Sequence, residues 1–172
     1  LNGDMKPDLA VANRYGSTVS VLLGDGQGGF SIATPFFAGN DPRRFPLYPR
    51  CIVIADFNGD VKPDLAVANF GSMDAGDVNV LLGNGVGDFG AATSLLFGLN
   101  PYSLAVADFN GDGQLDIATA DYGANTVSLR LSNGLGSLSP ARPFMVGTNP
   151  IALAVGNFNE NEMPDLVVAN IT

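Results

Sequence analysis

The stretch Asp-Phe-Asn-Gly-Asp-Val-Lys-Pro-Asp, residues 56–64, occurs in four related copies along this chain. The second copy reads Asp-Phe-Asn-Gly-Asp-Gly-Gln-Leu-Asp at 108–116, and a third reads Asn-Phe-Asn-Glu-Asn-Glu-Met-Pro-Asp at 157–165. The chain opens inside a fourth copy, 1–8, whose first position is missing. Oxygen-bearing side chains occupy positions 3, 5 and 9 of every copy and position 1 of the three complete copies, which indicates a shared structural role.

Oxygen ligands at alternating positions of a short loop can surround one cation, and Ca²⁺ accepts six to eight such ligands. The two intact loops offer three carboxylates, one amide oxygen and the backbone carbonyl of position 7. The predicted ligands are Asp56, Asn58, Asp60, Lys62 and Asp64 in one loop and Asp108, Asn110, Asp112, Gln114 and Asp116 in the other, Lys62 and Gln114 through their carbonyls. The Lys62 ammonium is then free to point away. The alternative is a polar turn without an ion, and repetition at one spacing favours Ca²⁺.

The other two loops are expected to bind Ca²⁺ weakly or not at all. The first keeps Asn2, Asp4, Lys6 and Asp8 but lacks position 1, whereas the last offers Asn157, Asn159, Asn161 and Asp165. Only one of these last four side chains is acidic, and Ca²⁺ attraction is largely electrostatic. The 157–165 copy is therefore predicted to be a structural loop.

An EF-hand is the competing calcium motif. It requires glutamate at loop position 12 and helices on both sides. Position 12 holds Val67 and Thr119, and strand-like sequence flanks both loops. The EF-hand is therefore excluded.

The loops recur with a regular period. Their position-3 asparagines are 56, 52 and 49 residues apart, at Asn2, Asn58, Asn110 and Asn159. Insertions of seven residues within 42–50 and three around 71–77 account for the longer spacings, so the underlying period is 49. Self-similarity at a fixed period of this size indicates a repeat protein.

Each period reads as four short strands separated by Asn-Gly or Asp-Gly turns, with no sustained helical pattern. In the strand after the 56–64 loop, Leu65 and Val67 alternate with Ala66 and Ala68, so neither face is polar. Large and small residues on opposite faces fit closely stacked sheets. The predicted fold is all-β, with four-stranded antiparallel β-propeller blades forming a partial propeller of about three and a half repeats in one domain, 1–172. A linear β-solenoid is the alternative.

Composition narrows the function. The net charge of −9, with no histidine, argues against binding nucleic acid or anionic membranes. No apolar run approaches the length of a membrane-spanning helix, which excludes membrane insertion by helices. The single cysteine, Cys51, cannot form an internal disulfide and is expected to be a buried, inert thiol. No general base stands outside the calcium loops, so the chain is not expected to be an enzyme.

The repeated Ala-Asp-Phe-Asn-Gly-Asp-x-x-x-Asp-[Leu/Ile]-Ala-[Val/Thr]-Ala resembles the FG-GAP/VCBS repeats of integrin α-subunit-like β-propellers. The resemblance covers essentially the whole chain. It implies that each calcium loop joins the innermost strand of a blade to the next strand and that seven blades close the ring. Because this chain holds too few blades, we expect either a part of a larger propeller or an assembly of copies, and the start inside a motif favours the former.

The resemblance also implies an extracellular or cell-surface location and a role in adhesion or recognition. We therefore expect a calcium-stabilised interaction module for a protein or carbohydrate ligand, beside the remaining blades of a longer protein. A structural spacer and a non-catalytic segment of a secreted hydrolase or lyase are the alternatives. The expected partner contact is an exposed loop on the rim opposite the calcium loops, carrying Arg43, Arg44, Phe45, Tyr48 and Arg50.

Overall fold

The computed structural model describes residues 1–39, 47–71 and 76–171, and within them the chain forms thirteen strands. No described segment is a helix long and apolar enough to cross a membrane. The strands are β1 Leu9–Asn13, β2 Thr18–Leu22, β3 Thr34–Phe37, β4 Leu47–Ala55, β5 Asp64–Gly71, β6 Asp77–Leu81, β7 Thr93–Leu95, β8 Pro101–Ala107, β9 Asp116–Asp121, β10 Thr126–Arg130, β11 Arg142–Met145, β12 Pro150–Gly156 and β13 Asp165–Asn170.

The strands form four antiparallel sheets, each built only from consecutive strands. We number them blade 1 (β1-β2-β3), blade 2 (β4-β5-β6-β7), blade 3 (β8-β9-β10-β11) and blade 4 (β12-β13). In the order of the repeat, β1, β2 and β3 are the second, third and fourth strands of blade 1. In blade 4, β12 and β13 are the first and second strands. The four-stranded unit predicted from the sequence is confirmed.

The first strands of successive blades lie side by side. β4 contacts β8, and β8 contacts β12, whereas the fourth strands are at the far side of their sheets. Each first strand carries a β-bulge, so that one residue lacks a cross-strand partner: Arg50, Tyr102 and Ile151. Bulges increase the local twist of a strand. The strands that meet between blades are therefore the most strongly bent.

The blades stack by packing a face of large side chains against a face of small ones. Leu65 and Val67 of blade 2 form one buried cluster with Val19 and Val21 of blade 1. On the other side of the same sheet, Ala66 and Ala68 belong to a cluster shared with blade 3, together with Leu104 and Ile117. We call these the large face and the small face of a blade. The expectation that both sides of each sheet are covered is confirmed for blade 2.

Cys51 differs from expectation in its burial. It is half-buried at the margin of the cluster between blades 2 and 3, with its sulfur 4.0 Å from the Leu104 carbonyl oxygen. The bulge beside it accounts for this, because the strand bends where the ladder is interrupted. Cys51 is a free thiol.

A polar position recurs at the end of each second strand. It holds asparagine in blades 1, 2 and 4 and Asp121 in blade 3. The Asp121 carboxylate is fully buried and accepts hydrogen bonds from the hydroxyls of Thr119, Thr126 and Ser128. Burial raises the pKa of Asp121, and the three hydroxyl groups offset only part of that effect.

We predict that Asp121→Asn stabilises the protein at neutral pH. The folded-state pKa lies above the unfolded value, so the charged carboxylate lowers stability at neutral pH and loses this effect as the pH falls through its pKa. Each unit of pKa shift corresponds to about 1.4 kcal/mol. Urea unfolding of both proteins should show an advantage for the asparagine variant that shrinks toward the usual carboxylate pKa of about 3.9.

The matched control is the reverse substitution in blade 1, Asn13→Asp. Asn13 donates hydrogen bonds to Thr18 Oγ1 and Ser20 Oγ at 3.0 and 2.8 Å, so an amide is accommodated at this repeat position. A carboxylate there should lower the free energy of unfolding at neutral pH. If Asp121→Asn is the less stable protein at neutral pH, the interpretation of Asp121 is wrong.

Candidate metal centre

The four acidic loops occupy equivalent places at one rim, and three of them join the first strand of a blade to the second. They share one backbone conformation, with left-handed residues at positions 4 and 6. The position-4 residues are Gly3 (φ 75°), Gly59 (78°), Gly111 (75°) and Glu160 (62°), and the position-6 residues are Met5 (61°), Val61 (64°), Gly113 (84°) and Glu162 (66°). The glycines of the two intact loops thus supply a conformation that is costly for other residues.

Val61 at position 6 is the exception that the sequence did not indicate. A β-branched residue at φ 64° is a backbone outlier and costs about 1–2 kcal/mol. Its N–H donates to Asp56 Oδ2 at 2.7 Å, which holds the residue in this conformation. In the sister loop, Gly113 makes the same bond to Asp108 Oδ2 at 2.7 Å without a side chain to strain.

The position-1 carboxylate organises the rest of the turn. Asp108 Oδ1 accepts from the N–H groups of Gly111 and Asp112, and its Oδ2 accepts from Gly113. The hydrogen bond from the Gly113 N–H lowers the pKa of Asp108, and the other N–H groups lower it further. Burial acts in the opposite direction, but the pKa remains below its usual value. Asp56 has the same role in blade 2, with bonds to residues 58 to 61.

Positions 3 and 5 form a chain of short polar turns. Asn58 Oδ1 accepts the N–H of Asp60 at 3.0 Å, and Asp60 Oδ1 accepts the N–H of Lys62 at 3.0 Å. In the sister loop, Asn110 Oδ1 accepts the N–H of Asp112, and Asp112 Oδ1 accepts the N–H of Gln114. The side-chain oxygens at positions 3 and 5 therefore each accept the backbone N–H two residues further along the loop.

The position-9 aspartate ties each loop to a hairpin of its own blade. Asp64 is fully buried; its Oδ2 accepts the Phe57 N–H at 2.9 Å and its Oδ1 the Gly83 N–H at 2.8 Å. Asp116 does the same with Phe109 and Ser132. Sequence reasoning assigned these carboxylates only to the metal. The recurrence of Gly-x-Gly hairpins one strand later was the available signal for their second role.

Burial raises the pKa of Asp64; the Gly83 and Phe57 N–H groups lower it, and the charges of Asp60 and Asp56 raise it further. The same sequence of causes raises the pKa of Asp116. Three carboxylates therefore repel one another within each intact loop. A bound cation would remove this repulsion.

The Lys62 side chain is placed differently from the prediction. Its ammonium does not point away: Nζ lies 3.3 Å from Asp60 Oδ2 in an exposed ion pair. The aliphatic stem packs over Gly85, where an added Cβ would approach the Lys62 side chain to 3.2 Å. The ammonium is drawn to the nearest ligand charge in the loop, and an incoming cation would compete with it.

The two weaker loops keep the backbone turn with fewer charges. Asp8 accepts the Gly24 N–H. Asp165 accepts the Phe158 N–H, and the amide nitrogen of Asn159 donates to its Oδ1 at 3.2 Å. In the 157–165 loop an amide nitrogen is therefore directed at the carboxylate.

The remaining predicted positions of these loops follow the same pattern of turns. In the first loop, Asn2 Oδ1 accepts the backbone N–H of Asp4, and Asp4 Oδ1 accepts that of Lys6. In the last loop, Asn159 Oδ1 accepts the N–H of Asn161, and Asn161 Oδ1 accepts that of Met163. The Lys6 ammonium lies 3.8 Å from Asp4. Asn157 carries no charge at position 1, so the last loop lacks the group that organises the intact ones.

No three His, Cys, Asp or Glu side chains among residues 1–39, 47–71 and 76–171 are arranged as a ready metal cluster. In the intact loops the carboxylates accept backbone hydrogen bonds instead. The donor set still fits Ca²⁺, because amide and backbone carbonyl oxygens complete what two or three carboxylates begin. A cation would add ligand bonds to oxygens such as Asn58 Oδ1, Asp60 Oδ1 and Asp64 Oδ2, each of which accepts one of the backbone hydrogen bonds described above.

The 1–8 and 56–64 loops also contact the hairpin of the following blade. An added Cβ on Gly59 would lie 2.7 Å from the Gly134 carbonyl oxygen, and Gly136 faces the Cβ of Asn58. The 56–64 loop is therefore held between the Gly83–Gly87 hairpin of blade 2 and the Gly134–Gly136 hairpin of blade 3. Anything that stiffens this loop also stiffens the junction between the blades.

The model of the FG-GAP-like repeat family matches residues 1–67, 56–119 and 108–168, so that successive matches overlap by one loop. The chain belongs to the FG-GAP-like repeat family. Among solved structures, a chain of the Photorhabdus luminescens Tc holotoxin pore matches with a TM-score of 0.52 and 16% identity, over 94% of this chain and 8% of that one. No curated protein matches. The structural likeness supports propeller-like blades, and the chain spans a small part of that protein's length.

At the rim opposite the loops, the predicted partner-contact residues are only partly described. Arg43, Arg44 and Phe45 lie outside the described residues. Tyr48 and Arg50 are not on an exposed loop as expected; they lie within β4 and are half-buried, because the strand extends to Leu47.

Both side chains join aromatic clusters between blades. The Arg50 guanidinium lies 4.6 Å from the Tyr102 ring centroid and 5.4 Å from that of Phe70, and it donates to the Tyr102 hydroxyl at 3.1 Å. Tyr48 packs edge-on against Tyr15, with 6.2 Å between ring centroids. The sequence signal was available, since Arg50 and Tyr102 each follow a proline at one repeat position.

We predict that substitutions of Asp60 and Asp64, at positions 5 and 9 of one loop, differ in their effect on the free energy of unfolding of the metal-free protein. In chelator, Asp64→Asn should lower the free energy of unfolding by about 1–3 kcal/mol, because one of the two backbone N–H groups loses its acceptor. This loss outweighs the relief of no longer burying a charge, whereas the hydroxyl partners of Asp121 can reorient toward an amide. Asp60→Asn should change it by less than about 1 kcal/mol, since it loses only an exposed ion pair.

The sister loop supplies the repeat of this experiment. Asp116→Asn and Asp112→Asn should reproduce the large and the small effect in blade 3, measured by urea unfolding. Equal losses for the two positions would show that the position-9 aspartate does not anchor the hairpin.

Proposed function

We propose that this chain is a calcium-stabilised, non-catalytic β-propeller module of a longer, extracellular protein that recognises a protein or carbohydrate ligand. The observation that supports calcium binding is the grouping of three carboxylates in each intact loop. Burial raises the pKa of Asp64, and the charges of Asp60 and Asp56 raise it further. Removing that repulsion and fixing the turn would stabilise the folded state.

Calcium would act on more than one blade. The 56–64 loop touches a hairpin of blade 2 through Asp64 and a hairpin of blade 3 through Gly59. An ion bound among the loop oxygens would therefore stiffen two blades at once. Extracellular Ca²⁺ sites of this kind bind with Kd of roughly 10⁻⁶ to 10⁻³ M.

We expect Ca²⁺ to raise the melting temperature and excess chelator to reverse the rise. One site at a hundredfold excess of Ca²⁺ over Kd adds about 2.7 kcal/mol to the free energy of unfolding. Thermal unfolding at a series of Ca²⁺ concentrations measures this for the intact chain and for Asp60→Asn and Asp112→Asn. Each variant should lose about half of the calcium-dependent part.

Asp165→Asn is the control, since the 157–165 loop is expected to contribute little. A melting temperature that ignores both Ca²⁺ and chelator would contradict the proposal. So would a calcium response that depends on Asp165 as strongly as on Asp60.

The recognition surface is proposed for the rim opposite the loops. Tyr15 is 83% exposed, and the Arg14 guanidinium lies 5.0 Å from its ring centroid and 5.8 Å from that of Tyr48. An exposed aromatic ring beside an arginine is a common anchor for a ligand. The spacer alternative has no observation that favours it over recognition.

Tyr15→Ala should abolish any binding that the protein shows on a glycan array or to a cell-surface extract. Met5→Ala on the calcium rim, where Met5 is 99% exposed, should leave it unchanged. Binding that survives Tyr15→Ala would place the ligand elsewhere. The absence of all binding, with chelator or without it, would favour a structural spacer.

A further inference from the structure

A cavity of about 80 Å³ lies between blades 2 and 3. Its walls come from the small face of blade 2, the large face of blade 3, the blade 3 hairpin and the 56–64 loop. Among the described residues that line it, Thr93 alone has a polar side chain and none is charged. An ordered water needs about two to four polar partners, so these walls do not favour water. The lining residues that matter most are Phe57, Leu82, Leu95, Gly136 and Leu138.

The junction between blades 1 and 2 fills the equivalent space with two aromatic rings. Phe36 lies opposite the first valine of the preceding strand, as Leu95 does in blade 2. Phe89 and Leu138 likewise form the isolated bridges that close their hairpins. The rings of Phe36 and Phe89 meet edge to face, with 5.3 Å between their centroids. Leucine at both positions leaves this space unfilled between blades 2 and 3.

Phe57 replaces only part of the missing volume. It stands at loop position 2, where the first loop has Leu1, and it is 5% exposed. Its ring forms one wall of the cavity that remains. Aromatic rings attract one another edge to face beyond what their buried area contributes. This wall therefore favours an aromatic occupant over an aliphatic one.

The cavity reaches solvent beside the blade 3 hairpin. Between blades 1 and 2, Leu23 packs over Gly87, where an added Cβ would lie 2.9 Å from Leu23 Cδ2. At the same repeat positions, Leu82 is 44% exposed. An added Cβ on Gly136 would meet, among the described residues, only the Asn58 Cβ at 3.7 Å. Leu82 therefore does not close the cavity over Gly136, and a ligand can enter there.

We propose that the cavity between blades 2 and 3 binds a small, uncharged molecule with a single aromatic ring. The ring would take the space that Phe36 and Phe89 fill in the neighbouring junction, and it would pack against Phe57. A closed cavity of about 150 Å³ with walls of this kind holds benzene. The present cavity is smaller but open on one side, so part of the ligand can extend into solvent. This inference goes beyond the proposed function and depends neither on calcium nor on the surface around Tyr15.

Toluene is the probe, titrated into the intact chain in chelator and followed by calorimetry and thermal unfolding. We expect one toluene to bind per chain and to raise the melting temperature. Leu138→Phe introduces the residue that the neighbouring junction carries at this repeat position, so it should fill the cavity and lose toluene binding. Leu95→Phe should do the same from the blade 2 side. If one of these variants fails to fold, as its melting temperature without toluene will show, the other carries the test.

Leu96→Phe is the matched control. Leu96 is 71% exposed and does not line the cavity. The same chemical change next to Leu95 should leave toluene binding as in the intact chain.

Three outcomes would overturn the proposal. The first is that toluene fails to bind the intact chain saturably. The second is that Leu95→Phe and Leu138→Phe fold and still bind toluene, which would place the site elsewhere. The third is that methylcyclohexane binds as tightly as toluene, which would exclude a preference for an aromatic ring. None of these outcomes bears on calcium binding, which the Asp60→Asn and Asp112→Asn variants test separately.

Discussion

The buried carboxylate at position 9 of each intact loop is the contact on which the rest of the structure depends. Asp64 and Asp116 each accept one N–H from their own loop and one from a hairpin of the same blade. Two hydrogen bonds to charged oxygen are stronger than bonds between neutral groups, and they close a loop against a distant turn. Because that hairpin also touches a neighbouring loop, a local contact fixes the spacing between blades.

Much of this fold could be predicted from the sequence because its period is regular. The four strands per repeat, the turns and the opposed large and small faces follow from residue alternation, as Leu65 and Ala66 illustrate. The second role of Asp64 could not be read in this way, since a ligand and an anchor look alike in sequence. The same holds for Tyr48 and Arg50, whose insertion suggested a loop while the bulged β4 extends through them.

For the candidate metal site, the sequence predicted the shape of the turn. Glycine at position 4 of the intact loops agrees with the observed left-handed backbone. Val61 was not expected in that conformation, because sequence favours glycine there and the aspartate that holds it lies five residues away. The Lys62–Asp60 pair likewise depends on side-chain rotamers, which spacing does not determine.

Every sheet joins only strands that follow one another in the sequence. A blade therefore closes its ladders through short loops, at small cost in chain entropy, before the next blade is needed. Such an array can gain or lose order one unit at a time during synthesis, in the manner of other repeat proteins. The order of appearance on the ribosome would be the order in which the blades become stable.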